Sequence, residues 1–147
     1  MNTERPATLF DRVSEWDDLV RFATETTTSF RIGVVSGRRR QGKSFILNEL
    51  AQRVGGFYHQ ALEEERTPAL DRLGAAMAAD RGLGGGSLSF PDWTAVLHAL
   101  AEPAASSPRL VIIDEYPYLL AKSPDIASSI QLAYDASRLD RQPPLRL

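Results

Sequence analysis

The residues best suited to chemistry in this 147-residue chain form a short glycine-rich segment. Residues 37–44 read Gly-Arg-Arg-Arg-Gln-Gly-Lys-Ser, with an apolar run before them and a helix-like pattern after them. Glycines at both ends let the backbone curl until successive N–H groups face one anion. The lysine can then reach the outer phosphates of a nucleotide, and the serine hydroxyl can bind Mg²⁺. The spacing therefore predicts a phosphate-binding loop between a strand and a helix.

Two adjacent carboxylates, about seventy positions further on, form the second half of the predicted site. Asp114 and Glu115 follow an apolar run, residues 110–113, that is typical of a parallel strand buried on both faces. Acids at the carboxyl end of such a strand lie where open α/β sheets bind ligands. We expect Asp114 to hold Mg²⁺ through water, opposite Ser44, and Glu115 to orient the water that attacks the γ-phosphate.

The predicted site combines these two motifs. Glu115 and Lys43 are the predicted catalytic residues, and Ser44 and Asp114 are the predicted magnesium ligands. The predicted nucleotide-binding residues are those of the loop and the start of its helix, namely Gly37, Arg38, Arg39, Arg40, Gln41, Gly42, Lys43, Ser44 and Phe45.

Composition excludes several other classes of function. The chain has no cysteine, which rules out disulfides, thiolate nucleophiles and thiolate metal sites. Its net charge of −2 provides no overall basic field for nucleic acid. His59 and His98 are far apart in sequence, and each is interpreted as a surface residue of a strand or helix. Since neither a membrane-spanning segment nor a secretion signal is visible, we expect a cytoplasmic protein without a membrane partner.

Hydrophobic periodicity predicts the elements that must hold the loop in place. A helix is predicted over 15–28 with Ser14 as its N-cap, followed by a strand over 31–36. The next helix begins at Lys43 and is stopped by two glycines, after which residues 57–61 form a short second strand.

The second half of the chain continues the alternation of helices and strands. Thr67 and Pro68 are predicted to open one helix, and Trp93 begins an amphipathic stripe as a core anchor. The strand over 109–114 carries the two acids, and Ser123 with the following proline opens a last helix. This alternation predicts a three-layer α/β fold with a parallel sheet.

With both motifs placed, the chain resembles the ATPase domain of the archaeal-type ATPase family, a branch of P-loop NTPases related to AAA+ and STAND proteins. The resemblance covers nearly the whole chain. It rests on the opening Leu9-Phe10-Asp11-Arg12 with Glu15 and Leu19, the triple arginine of the loop, Phe90 with Trp93, and Asp114-Glu115-Tyr116-Pro117-Tyr118-Leu119.

The resemblance implies binding of ATP and Mg²⁺, with hydrolysis of the bond between the β- and γ-phosphates. It also implies that Phe10 and Arg12 lie on the adenine side of the nucleotide. Family members continue with a sensor strand, an arginine that reaches the γ-phosphate, and further domains through which DNA or protein could bind. We therefore expect residues 1–147 to form one P-loop ATPase domain that is incomplete at its C-terminus and ends at the start of the sensor strand.

The family topology places the sensor strand between the strands at 31–36 and 109–114. Without it, each of these strands would expose a row of unpaired N–H and C=O groups. Each unpaired group in an apolar interior costs about 1–3 kcal/mol, against a domain stability of about 5–15 kcal/mol. A truncated product is therefore expected rather than a competent enzyme.

Three alternatives stay open beside the ATPase. The chain could be a truncated fragment that binds nucleotide without turnover or is inert. It could be a P-loop kinase, in which the acid strand lies directly beside the phosphate-loop strand. The arginines at 38–40 could instead bind nucleic acid. The sequence leaves the oligomeric state, the biological process and the coupled partner open.

Overall fold

The computed structural model describes residues 1–26, 29–38, 41–102, 108–139 and 145–147. Over these ranges the helices are α1 (Val13–Thr24), α2 (Lys43–Val54), α3 (Arg66–Asp80), α4 (Trp93–Ala101), α5 (Tyr116–Lys122) and α6 (Asp125–Arg138), and the strands are β1 (Phe57–Gln60) and β2 (Val111–Asp114). The chain therefore mixes helices and strands as an α/β protein does. None of the helices in these ranges is long and apolar enough to cross a membrane.

The two strands form a small parallel sheet. Phe57 lies opposite Val111, and Gln60 lies opposite Asp114 at the other end of the pair. Beyond the last pair, the N–H group of Ala61 donates to the Asp114 carbonyl at 2.9 Å. The strands predicted over 57–61 and 109–114 are therefore confirmed as β1 and β2. Asp114 and Glu115 lie at the carboxyl edge of the sheet.

Residues 145–147 lie between the segment before the phosphate loop and β2. The N–H groups of Arg31 and Gly33 donate to carbonyls of this segment at 2.9 and 2.8 Å. On its other side, the N–H group of Val111 donates to the carbonyl of Arg146 at 2.7 Å. Arg31 and Val111, on opposite sides of residues 145–147, therefore share a backbone partner, and the expectation that these two segments lack one is wrong at these positions.

The prediction of a strand over 31–36 is wrong in its extent. Arg31 forms an isolated parallel bridge with Arg146, and residues 32–38 form no strand. No backbone hydrogen bond joins residues 34–36 to another described residue, and Val34 is 86% exposed. A strand needs a neighbour to complete its ladder, and residues 145–147 reach only the beginning of this apolar run.

Helix α1 differs from its prediction at both ends. It begins at Val13 with Arg12 as the N-cap, and the Ser14 hydroxyl donates to the Glu15 carboxylate at 3.1 Å instead of capping. It ends at Thr24, because Glu25 adopts an extended conformation before a run of β-branched threonines that disfavour helix. The last two predicted positions, 27–28, lie outside the described residues.

Helices α3 and α5 also differ from the sequence-based expectations. Helix α3 begins at Arg66, so Thr67 and Pro68 lie inside its first turn. Helix α5 was not predicted, because its seven residues are too few to show helical periodicity and Pro117 resembles a breaker. Proline is favourable in a first helical turn, where no N–H group is needed.

Helices pack on both faces of the sheet. Leu110 and Ile112 belong to an apolar cluster with residues of α1 and α2, while Val111 belongs to a second cluster with residues of α3, α4 and α6. This alternation is the period-two pattern of a strand buried on both faces. Trp16 and Trp93, each 1% exposed, anchor the two clusters, so the prediction that Trp93 is a core anchor is confirmed.

Candidate functional site

The phosphate loop leads directly into α2. Gly42, the N-cap of this helix, has φ of 72°, a left-handed value that other residues adopt only with strain. A methyl group at this position would meet no atom within 4 Å. No side chain caps the helix and its first turn carries no acid. The helix therefore presents backbone donors and the positive end of its dipole beside open space, which suits an anion.

A cavity of about 260 Å³ lies against the loop, just below the usual size of a small-molecule site. Lys43 lines it, as do Asp11 and Arg12 at the start of α1, so charges of both signs face the space. The remaining lining residues are Glu15, Leu19, Val35, Ser36, Gly37, Gln41 and Ile46. A cavity of this volume can hold only part of a nucleotide.

Several residues predicted to bind nucleotide lie beside this cavity rather than in it. Phe10 is 81% exposed and is not a lining residue, whereas Arg12 is. Arg38 and Phe45 are exposed at the surface. Arg39 and Arg40 lie outside the described residues. The structure therefore supports placing Gly37, Gln41 and Lys43 at the cavity and leaves the flanking aromatic side chains in solvent.

Asp114 is buried at the end of β2, with 3% of its surface exposed. One carboxylate oxygen accepts a hydrogen bond from the N–H group of Glu115 at 3.0 Å. The other accepts a hydrogen bond from the Tyr58 hydroxyl at 2.9 Å. A carboxylate removed from water requires such donors, and these two fix its orientation.

Glu115 occupies the turn between β2 and α5 with left-handed backbone angles, φ 56° and ψ 36°. This conformation costs a non-glycine residue about 1–2 kcal/mol. Asp11, which lines the cavity, has the same kind of angle with φ of 53°. They are the two non-glycine residues with positive φ in the described part of the chain. Backbone strain is concentrated at functional sites in many proteins, and here both examples lie at the candidate site.

Tyr58 connects the acid strand to the loop helix. Burial, followed by the hydrogen bond to Asp114, raises the pKa of Tyr58 to about 12. The Ser44 side chain acts in the opposite direction and lowers this pKa, so it lies near the phenol. The two predicted magnesium ligands, about seventy positions apart in sequence, therefore both lie near one tyrosine.

Sequence reasoning missed Tyr58, although strand register could have identified it. Tyr58 lies opposite Ile112, two positions before Asp114, and packs against the apolar cluster formed with α2. Ile112 and Asp114 are on the same face of β2, because side chains alternate along a strand. A long polar side chain at this register reaches the acid, but that inference requires knowing which strands are neighbours.

The candidate site thus has two parts that share the first turn of α2. Lys43 borders the cavity, and the next residue, Ser44, lies near the pair formed by Tyr58 and Asp114. Asp114 and Glu115 are not lining residues of the cavity.

The donor atoms at this junction fit a magnesium ion. Mg²⁺ prefers hard oxygen ligands, binds through one or two protein groups, and keeps several waters or phosphate oxygens. The Ser44 hydroxyl and the Asp114 carboxylate are such groups. No cluster of three or more His, Cys, Asp or Glu side chains that could hold a metal exists among the described residues. A metal here would therefore depend on a bound phosphate for further ligands.

Comparison of the chain with protein-family models, with curated proteins and with solved structures found no match. The function of the site must therefore be inferred from its own residues and geometry.

Proposed function

We propose that this chain is the ATP-binding domain of a P-loop ATPase that binds ATP with Mg²⁺ and hydrolyses the β–γ bond. One observation carries the proposal. The hydroxyl of Tyr58 donates to the Asp114 carboxylate at 2.9 Å, and the Ser44 side chain lies near enough to this phenol to lower its pKa. The loop helix and the acid strand thus lie close together, as the two motifs require, and their residues share one apolar cluster. Two motifs found independently in the sequence would not meet in this way if each were only a structural turn.

The proposal includes a three-layer P-loop NTPase fold and membership of the archaeal-type ATPase family. Helices on both faces of a parallel sheet support the layers. The spatial order of the parallel segments, residues 31–33, then 145–147, then β2, then β1, supports the topology.

Each site residue has a role in this proposal. The uncapped N–H groups at the start of α2 and the Lys43 ammonium bind the triphosphate. Ser44 and Asp114 hold Mg²⁺, which when bound neutralises charge on the β- and γ-phosphates. Glu115 accepts a hydrogen bond from the attacking water and orients it toward the γ-phosphate.

The order of segments favours hydrolysis over phosphate transfer by a P-loop kinase. The kinase alternative requires the acid strand directly beside the phosphate-loop strand. In this chain residues 145–147 separate Arg31 from Leu110, with bridges on both sides. A carboxylate immediately after Asp114 also provides the group that water activation needs.

A second candidate is nucleotide binding without turnover. It is favoured by the absence of a strand partner for residues 34–36 within the described ranges, with Val34 86% exposed. Residues 34–36 lead into the phosphate loop, and without strand hydrogen bonds they fix the loop less firmly relative to Asp114 and Glu115. Binding depends mainly on the loop, whereas catalysis depends on the position of both motifs.

Calorimetric titration with ATP in the presence of Mg²⁺ tests the proposal, combined with an assay of phosphate release. The chain has two lysines, which provide a matched pair of variants. We expect Lys43→Ala to weaken ATP binding by about 100-fold or more, since a charge-assisted contact with phosphate is lost. Lys122→Ala should bind normally, because Lys122 lies in α5 and pairs with Glu65 at 2.9 Å.

Each other outcome identifies a different function. Equal binding by wild type and Lys43→Ala would refute the proposed site, and binding without phosphate release would establish the second candidate. Phosphate appearing on an added small-molecule acceptor would favour a kinase. A DNA affinity that falls steeply with salt would favour nucleic-acid binding by the arginine run.

A further inference from the structure

Tyr58 lies at a position where an apolar side chain could make the same packing contacts, so its hydroxyl is not needed for packing. Its ring packs against the cluster that joins α2 to the sheet, while its hydroxyl extends to the carboxyl edge. There it lies 2.9 Å from Asp114. A partly buried hydroxyl must find a partner or lose free energy, and this one has a carboxylate.

The hydrogen bond fixes the roles of its two groups. The phenol O–H group of Tyr58 donates, whereas a carboxylate accepts, so the tyrosine orients the Asp114 side chain. Asp114 accepts on its other oxygen from the Glu115 N–H group. The carboxylate is therefore held on both sides, once by the strained turn and once by the tyrosine.

We propose that Tyr58 is a positioning residue for the magnesium site, holding the Asp114 carboxylate in the orientation that one hydrated ion requires. This inference rests on the proposed function. A carboxylate oxygen has two lone pairs, so the oxygen that accepts from Tyr58 can also accept from a water bound to the metal. The tyrosine therefore supports metal binding and does not compete with it.

The partner of a metal ligand contributes to metal affinity even though it does not touch the metal. Loss of such a partner typically lowers metal affinity by about 10- to 100-fold. Binding of the triphosphate to the loop and Lys43 does not involve Tyr58. The two contributions separate when nucleotide binding is measured with and without Mg²⁺.

The test is calorimetric titration with a non-hydrolysable ATP analogue, first in EDTA and then at increasing Mg²⁺. We expect Tyr58→Phe to raise the Mg²⁺ concentration needed for half of the affinity gain by about 10- to 100-fold. Affinity in EDTA should be unchanged. Tyr134→Phe, which also removes a phenol but in a ring packed on Phe30, is the matched control and should behave as wild type.

A double-mutant cycle distinguishes positioning from general damage. Because Tyr58 acts through Asp114, Tyr58→Phe should add nothing to the magnesium defect of Asp114→Asn. Additive defects would overturn the inference. If Tyr58→Phe fails to fold, Tyr58→Met provides a flexible apolar replacement for the same titrations.

The remaining outcomes distinguish failure of this inference from failure of the proposed function on which it rests. If wild type binds no nucleotide even with Mg²⁺, the proposed function fails and the inference fails with it. If wild type binds and Tyr58→Phe shows an unchanged magnesium requirement, only the role of Tyr58 is refuted. A lower magnesium requirement in the variant would show that the tyrosine competes with the ion, which also refutes positioning.

Discussion

The two halves of the candidate site are built in opposite ways. On the acid side, β2 is paired with β1, Asp114 is 3% exposed, and both of its oxygens accept hydrogen bonds. On the loop side, residues 34–36 have no backbone partner in the described chain, and Val34 is 86% exposed. The first half is held by strand pairing and hydrogen bonds, whereas the backbone N–H groups of residues 34–36 have no backbone acceptor among the described residues.

This difference matches what the proposed function requires of each half. A carboxylate that positions a metal or a water has to be held in one orientation, which hydrogen bonds and packing provide. A loop that wraps phosphate needs free N–H groups, so those groups cannot be used in structure. We therefore expect substitutions on the acid side to affect catalysis and stability strongly. Those on the loop side should affect binding more than stability.

The largest effect is expected at Glu115. Glu115→Gln should lower the rate of ATP hydrolysis by about 10²–10⁴-fold, because the amide is a poor acceptor for the proton of the attacking water. Affinity for ATP should be retained, since the loop that binds phosphate is intact. Phosphate release under saturating ATP measures the rate, with the exposed Glu63→Gln as the control. An unchanged rate would show that Glu115 does not have this role.

Substitution of one valine in each half tests how much each half contributes to the free energy of unfolding. Val111→Ala should lower the free energy of unfolding by about 2–3 kcal/mol, because a side chain 1% exposed leaves the core. Val34→Ala should change it by less than about 0.5 kcal/mol, as is usual for exposed positions. Urea denaturation followed by circular dichroism measures both. Similar losses would show that residues 34–36 are buried in solution and would remove the contrast.

A glycine pair tests the backbone of the loop. Gly42→Ala should lower the free energy of unfolding by about 1–2 kcal/mol, because φ of 72° strains an alanine although space is open. Gly84→Ala, which also has no atom within 4 Å but no left-handed angle, is the control. Its stability should be unchanged or slightly higher. If the two variants were equally stable, the left-handed turn before α2 would be absent in solution.

The smallest effect concerns acid pH and the buried face of β1. His59, interpreted from the sequence as a surface residue, is instead 6% exposed, and this burial lowers its pKa below the ordinary value of about 6.5. As pH falls below about 6.5, the unfolded chain binds a proton that the native chain does not, so stability decreases down to the lowered native pKa. Above that window the histidine contributes no pH dependence.

Chemical denaturation between about pH 7.5 and 5, roughly the range in which histidine titrates, measures this slope. His59→Gln should flatten it, while His98→Gln, at an exposed position beside Glu102, should retain it. An equally steep slope in His59→Gln would assign the effect to other groups.

Much of the fold was accessible from local patterns. Gly55 ends α2 with φ of 69°, and the stripe that begins at Trp93 is buried, because capping and periodicity act over a few neighbouring residues. The strand expected over 31–36 failed for the opposite reason. Its residues have the right types, but a ladder requires a neighbour, and only residues 145–147 lie beside its start.

The candidate site also combines residues that local patterns identify with residues that depend on distant neighbours. Types and spacing alone identified Lys43, Ser44, Asp114 and Glu115 as candidates, because phosphate and Mg²⁺ binding require those groups in that order. They did not identify Tyr58, because its contact with Asp114, 56 positions away in sequence, depends on the register of two strands. They also did not predict the left-handed turn at Glu115, which arises where β2 must pass directly into α5.

The sequence by itself determined the chemical groups, the glycines that free the loop and the apolar runs that become β1 and β2. These are properties of single residues and short segments. Only the tertiary structure decided which groups meet. The pairing of β1 with β2 brings Tyr58 to Asp114, and the packing of α2 on that sheet brings Ser44 near the same tyrosine. Contacts between distant segments depend on the burial of the whole core, which no local pattern contains.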